Sequence, residues 1–192
     1  MKKIQLITGC IAAIAFVACS GGNVRYPDKT TKVDLTGKSV LVVAEDNASG
    51  DASAAKAFVA AVGQKVGSLK ILPSVPSTAQ GISKAYAEFG LNNQGVVDPT
   101  NIKAAAIDQI LKLAASLGKF DTIVFVSAEK GGGMAVPKTI NLTLYGAVYD
   151  IGGKKVTAAV SDSATVVDTG VVAQMPLKAR DITSSLLDGQ GQ

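Results

Sequence analysis

Two short β-branched runs, each tied to a segment of helical period, followed by a long alternating stretch that turns back on itself, constrain this chain more than any other feature. Ser39-Val40-Leu41-Val42-Val43-Ala44 is apolar without alternation, as in a strand buried on both faces. Ala55, Phe58, Val59, Val62 and Val66 then recur at helical spacing, with Asp51 placed as a cap and Gly67 as a stop. Leu69 to Leu72 predicts a second short strand, Pro73 and Pro76 a break, and Ile82, Ala85, Tyr86 and Phe89 a short helix. Asp98-Pro99 signals the start of a further helix, whose stripe of Ile102, Ala106, Ile110, Leu113 and Leu117 ends at Gly118. Thr122 to Ser127 is another buried strand. From Lys138 to Asp150, Ile140, Leu142, Leu144 and Val148 alternate with Thr139, Asn141, Thr143, Tyr145 and Tyr149, so one face meets the core and the other lies nearer water. Ile151-Gly152-Gly153-Lys154 makes the hairpin turn, Val156, Ala158 and Val160 carry the core face of the returning strand, and a last helix is expected near Ala179 to Leu187. The class is therefore α/β (α+β): a mixed sheet of about five strands with helices packed on it, in the order β-α-β-α-β-β-β-α.

The first 18 residues have a different character. Lys2 and Lys3 precede an apolar stretch from Ile4 to Val17, and small Ala18 stands before Cys19, the layout of a cleavable secretory signal. The apolar part is short for a spanning helix, which needs about 20 such residues. Phe16-Val17-Ala18-Cys19 resembles the bacterial lipobox, with Phe16 where Leu is usual. The resemblance implies cleavage between Ala18 and Cys19 and acylation of Cys19, and Ser20 after the cysteine implies delivery to the outer membrane, facing the periplasm. Residues 20 to 36 show no apolar period, so 19–37 is expected to be a lipidated flexible tether, 38–188 a single domain and 189–192 a tail.

Composition narrows the chemistry. Cys10 leaves with the signal and Cys19 is the other of the two cysteines, so the mature chain has no internal disulfide and its fold rests on packing. The signal removes two lysines and no acid, so 19 basic and 15 acidic residues become 17 and 15, a balance that gives no reason to expect nucleic acid. There is no His and no Trp. The usual general base, the usual partner of a nucleophilic Ser and the commonest transition-metal ligand are thus missing, leaving carboxylate, Lys or Tyr chemistry. The expectation is a protein with no catalytic residue, cofactor or metal.

With the element order in hand, Val40-Leu41-Val42-Val43-Ala44-Glu45-Asp46-Asn47-Ala48-Ser49-Gly50-Asp51 resembles the opening of the TolB amino-terminal-domain-like group, a hydrophobic strand leading through an acidic, Asn- and Gly-bearing turn to a helix. Leu117-Gly118-Lys119-Phe120-Asp121-Thr122-Ile123-Val124-Phe125-Val126-Ser127 resembles the group's helix end and core strand, and the strands around Ile151-Gly152-Gly153-Lys154 its hairpin. The group includes envelope lipoproteins of the CsgG and PelC types and lipoprotein activators of peptidoglycan synthases. The resemblance implies a lipid-anchored domain used for docking, assembly or activation of a larger envelope machine, with an envelope protein partner and room for homo-oligomers.

Other patterns compete for attention. Ser53-Ala54-Ala55-Lys56 matches the S-x-x-K of serine enzymes, but without the companion motifs it reads as a helix surface. Glu45, Asp46 and Asp51 suit turn and cap chemistry better than a cation site. Glu129-Lys130-Gly131-Gly132-Gly133 lacks phosphate-loop spacing and reads as a mobile connection or as a partner-contact loop. Tyr145 and Tyr149 share a strand face that either meets a partner or lies beneath a helix. Two rival functions remain: a ligand-binding or enzymatic domain that gathers Glu45, Asp46 and Lys130, and a surface-exposed structural lipoprotein.

Overall fold

The computed structural model describes residues 20–26, 32–46, 56, 59–60, 62, 66–72, 75–92, 102–135, 138–167 and 170–188. The expected signal, Ala18, Cys19, Asp51, Ser53 and residues 189–192 lie outside them. The chain runs β1 (Ser20–Tyr26), β2 (Ser39–Asp46), β3 (Ser68–Ile71), a 3-10 turn (Ser77–Ala79), α1 (Ile82–Asn92), α2 (Ala104–Leu117), β4 (Thr122–Gly131), β5 (Thr139–Asp150), β6 (Lys155–Val167) and α3 (Val171–Asp188). Lys56, Val59, Ala60 and Val62, within the helix expected between Ala55 and Val66, are helical as well.

The strands form one mixed sheet in the order β1-β6-β5-β4-β2-β3. β2 pairs parallel with β3 and β4, while β4, β5, β6 and β1 pair antiparallel in succession. The five strands read from the sequence are all present, and the sixth is a correction. β1 occupies part of the stretch expected to be a tether, pairing Ser20 with Ala164 and Tyr26 with Ala159. Its ladder bonds come from the backbone, so an edge strand of the composition Ser-Gly-Gly-Asn-Val-Arg-Tyr gives no side-chain period to read. Leu35, in the same stretch, is also buried in the core.

Helices cover both faces of the sheet. Val40, Val42, Val124, Leu144, Val148 and Val160 form one cluster with Ala179, Ile182 and Leu186 of α3 and with Val62. On the other face Leu41, Val43, Ile123, Phe125, Ala147 and Ala159 meet Ile82 and Tyr86 of α1 and Ile107 and Ile110 of α2. The face of β5 expected nearer water is therefore covered: Tyr145 and Tyr149 are buried beneath the α1 and α2 layer. The returning strand also departs from simple alternation. A register shift at Val148/Tyr149 pairs Tyr149 with Val156 and Val148 with Ala158, leaving Thr157 as the extra residue. Val156 thus joins the α1 and α2 side, while Ala158 and Val160 stay on the α3 side.

Helix ends differ from expectation in physical detail. Lys103, in the left-handed conformation with φ 56°, precedes α2, and no side chain caps it. Asp98 and Pro99 lie outside the described residues. Gly118 closes α2 at φ 151°, its N–H donating to the Ala114 carbonyl at 3.1 Å. α3 begins eight residues before the expected Ala179. Pro176 sits inside it as the sixth residue, withholding the N–H that would donate to the Val172 carbonyl, without ending the helix.

Candidate functional site

Strand register places two groups of polar residues at opposite ends of the sheet. At the carboxyl ends of the parallel pair, Glu45 of β2 lies level with Ser127 of β4. The α1 amino terminus packs over them. The Gly81 N–H donates to Glu45 Oε2, and the hydroxyls of Ser83 and Ser127 meet at 2.6 Å, both buried. Lys84 reaches Glu129 at 2.7 Å and Glu88 at 3.8 Å, and its ammonium lies 5.8 Å from the centre of the Tyr145 ring. Gly81 turns into the helix at φ 73°. This conformation aims its N–H at the carboxylate.

Glu45 is 5% exposed, and its Oε1 has no hydrogen-bond partner among the described residues. Burial raises its pKa above the usual carboxylate value, opposed by the N–H groups of Gly81 and Ile82 and by the charge of Lys103, and assisted by that of Glu129. A carboxyl whose folded pKa is raised favours the fold in its neutral form. Its contribution is present below the unfolded pKa of about 4.5 and is lost as pH rises through the folded value. Glu45→Gln keeps an acceptor for Gly81 and removes the charge. It is expected to be more stable than the parent at pH 7, with the difference closing toward pH 4 at no more than about 1.4 kcal/mol per pH unit. Urea midpoints from pH 4 to 7 measure this, and parallel profiles for the two proteins would show that the carboxylate is not desolvated.

The carboxylate and lysine set proposed for catalysis does not assemble. Glu45 projects to the α1 and α2 face with Leu41 and Val43, whereas Lys130 shares the α3 face with Val124, Val126 and Ala128 of the same strand, so the sheet stands between them. Among the described residues no group of three or more His, Cys, Asp or Glu is placed to hold a metal. Burial, ahead of neighbouring carboxylates, pushes both tyrosine hydroxyls up from their usual value, away from neutral-pH proton transfer. Ser127 and Ser83 went unnoticed in the sequence because 44 residues separate them and neither belongs to a local motif.

The glycine run after Glu129 is hydrogen-bonded to the strands that follow it. Asn141 Nδ2 donates to the Gly132 carbonyl at 2.7 Å and Thr165 Oγ1 to Asn141 Oδ1 at 3.0 Å. The Thr139 N–H donates to the Met134 carbonyl at 3.1 Å, and the Met134 N–H to Thr139 Oγ1 at 3.0 Å. At Gly133 a Cβ would stand 2.0 Å from the Thr139 carbonyl oxygen, so only glycine permits this approach. The turn holds Met134 outward, 62% exposed, beside the end of β6, where Val167 is 41% exposed.

At the other end, an open groove of about 560 Å³ runs between Thr36, Lys38, Phe120, Asp121, Asp150 and Ile151. Its carboxylates are engaged in the backbone: Asp121 Oδ2 accepts the Ser39 N–H at 2.8 Å and Asp150 Oδ2 the Gly153 N–H at 2.7 Å. These residues shape the strand start and the hairpin turn.

This arrangement has counterparts among solved structures. PelC from Paraburkholderia phytofirmans, solved as a dodecamer, superposes with a TM-score of 0.52 at 9% identity, covering 85% of this chain and 96% of PelC. A variant of the same dodecamer superposes at 0.54 with 10% identity, covering 87% and 99%. The chain has the PelC fold. The lipoprotein GNA1162 from Neisseria meningitidis matches at 14% identity with a TM-score of 0.38, covering 72% of this chain and 92% of that one. No protein-family model and no curated protein matches the sequence.

Proposed function

We propose that this chain is an envelope lipoprotein, acylated at Cys19, that docks to or assembles with a larger envelope machine and performs no chemistry of its own. The observation that carries the reading is the PelC fold over nearly the whole of PelC, in a chain whose lipobox-like Phe16-Val17-Ala18-Cys19 stands just before the first strand. Three further features support it. Among the described residues no helix is long and apolar enough to cross a membrane. The lysine needed by the enzymatic alternative lies across the sheet from Glu45. The polar residues at both sheet ends are committed to caps and turns. The Glu129-to-Gly133 turn is the contact loop in this reading, the outer membrane its address, and self-association into a ring its working form, by analogy with the PelC dodecamer.

Cys19→Ser tests the anchor. Two or more acyl chains hold a protein firmly because each buried methylene contributes about 0.8 kcal/mol. The parent is expected almost wholly in the membrane fraction and the variant almost wholly in the soluble fraction. In-cell cross-linking of the parent should capture a discrete self-oligomer or one envelope protein, lost in the variant. A membrane-bound parent that captures neither would remove the docking reading, and an unchanged distribution of the variant would remove the anchor.

A further inference from the structure

β1 changes what an acyl group on Cys19 does to the rest of the molecule. Read as a tether, the 17 residues from 20 to 36 would leave the domain on a leash with a root-mean-square span of roughly 20–25 Å, free to face any direction. With β1 in the sheet that leash is gone. Ser20 pairs with Ala164, which pairs with Leu142, which pairs with Lys130. Cys19 is one peptide away, about 3.8 Å from Cα to Cα. Whatever bilayer holds its acyl chains lies against this end of the sheet.

What projects beyond that rung is a short, fixed surface. Val167 ends β6 three residues past Ala164, about 10 Å further along the strand. Residues Gly131 to Met134 extend in the same direction and are held by the Asn141, Thr139 and Gly133 contacts described above. Met134 and Val167, two of the four large apolar side chains exposed among the described residues, stand at this tip. The other two lie elsewhere: Ile71 pairs with Val42, level with Val124 and six rungs short of Lys130, and Leu177 is on α3. The segment from Lys130 to Asn141 carries Lys130 and Lys138 and no acid, while Glu129, one residue before it, is paired with Lys84, and Asp168 follows β6. The opposite end, about 40 Å away along β5, presents Asp121, Asp150, Lys154 and Lys155 and none of the four exposed large apolar side chains.

From this juxtaposition we infer that the sheet end tipped by Met134 and Val167 rests on the lipid bilayer, so that the protein stands on the membrane with its sheet upright and its β5–β6 turn pointing away. The inference rests on the acylation of Cys19 proposed above and names the bilayer as the partner of the glycine turn. Apolar tips flanked by lysines suit the interface, where methionine and valine reach the acyl boundary and ammonium groups stay among headgroups. The hydrogen-bonded turn presents Met134, and the end of β6 presents Val167.

The test uses the full lipidated protein, purified from membranes and reconstituted in vesicles of phosphatidylethanolamine and phosphatidylglycerol. The mature chain has no thiol besides Cys19, whose sulfur is consumed by the diacylglyceryl group, so Met134→Cys and Lys154→Cys each offer one site for a nitroxide. Both positions are exposed turns, and neither change disturbs the core. Collision of the label with oxygen, which partitions into lipid, is compared with collision with a water-soluble nickel chelate. The expected result is a preference for oxygen at 134, reversed at 154. Inserting ten Gly and Ser residues between Cys19 and Ser20 should shift the 134 label toward the chelate by restoring a leash. A chelate preference at 134 equal to that at 154, in protein whose mass confirms acylation, overturns the orientation and leaves the anchor standing. A label at 134 shielded from both reagents overturns it in favour of a protein contact, and a Cys19 without acyl chains overturns anchor and orientation together.

Discussion

Lys178→Met is expected to cost about 3–5 kcal/mol, because it leaves a buried carboxylate without its counter-charge. Lys178 Nζ on α3 lies 2.9 Å from Asp162 Oδ2 on β6, with the two side chains 11% and 2% exposed. Asp181, at 3.9 Å, is a second and more exposed carboxylate for the same ammonium. Burial already raises the pKa of Asp162, and the Lys178 ammonium opposes that shift. Without the ammonium, Asp162 either remains charged in an apolar layer or binds a proton, and either route weakens the fold at neutral pH. Because the folded pKa lies above the unfolded value of 3.8, the loss should be largest near pH 7 and shrink as pH falls toward that value. The double variant Asp162→Leu with Lys178→Met removes both charges and should recover most of the loss or exceed the parent, as replaced buried pairs often do. Urea unfolding with an unchanged denaturant slope reads the difference directly. A cost below about 1 kcal/mol would place the pair in solvent. β6 is also the strand to which β1 pairs, so the Lys178 contact holds α3 to the neighbour of the strand that follows the proposed anchor.

Much of the fold was legible because burial writes itself into side-chain pattern. The runs at Val40 and Ile123 gave β2 and β4, the alternation from Thr139 gave β5, and the order of these pieces resembled the group whose PelC fold the chain has. What escaped was whatever the backbone or a distant residue decides. β1 is held by main-chain pairing at an edge and has no apolar period. The Thr157 bulge moved Val156 across the sheet, because one extra residue inverts the alternation before it. The tyrosine face looked amphipathic because Tyr carries a hydroxyl, yet its ring packs like any apolar surface, and α1 and α2 cover it. At the candidate sites the same division holds. Glu45 stood out in the sequence, but its burial depends on Gly81, 36 residues later. The glycine run at 131–133 was visible while its hydrogen-bond partners were not, since Asn141, Thr139 and Thr165 come from the next two strands.

Phe125→Ala is expected to destabilise the domain by about 3–5 kcal/mol, at the upper end for a core truncation. The reason lies in a single rung. Val43 of β2 pairs with Phe125, Phe125 with Ala147 of β5, and Ala147 with Ala159 of β6, all four on the face covered by α1 and α2. Two alanines in succession leave space beneath the helices, and the fully buried Phe125 ring is the large side chain on that rung. Truncation removes the ring's transfer free energy and also leaves a cavity. The cavity has poor means of closing: its strand neighbours are small, and α1 is fixed by Ser83 to Ser127 and by Gly81 to Glu45. Phe125→Leu retains four side-chain carbons and should cost well under half as much. For a domain of this size the alanine variant should melt roughly 6–20 °C lower, at about 2–4 °C per kcal/mol. A loss near 1 kcal/mol would mean that the helices collapse onto Ala147 and Ala159. In that event the α1 layer would be a pliable cover, and the Glu45 carboxyl beneath its first turn would lose the desolvation that raises its pKa.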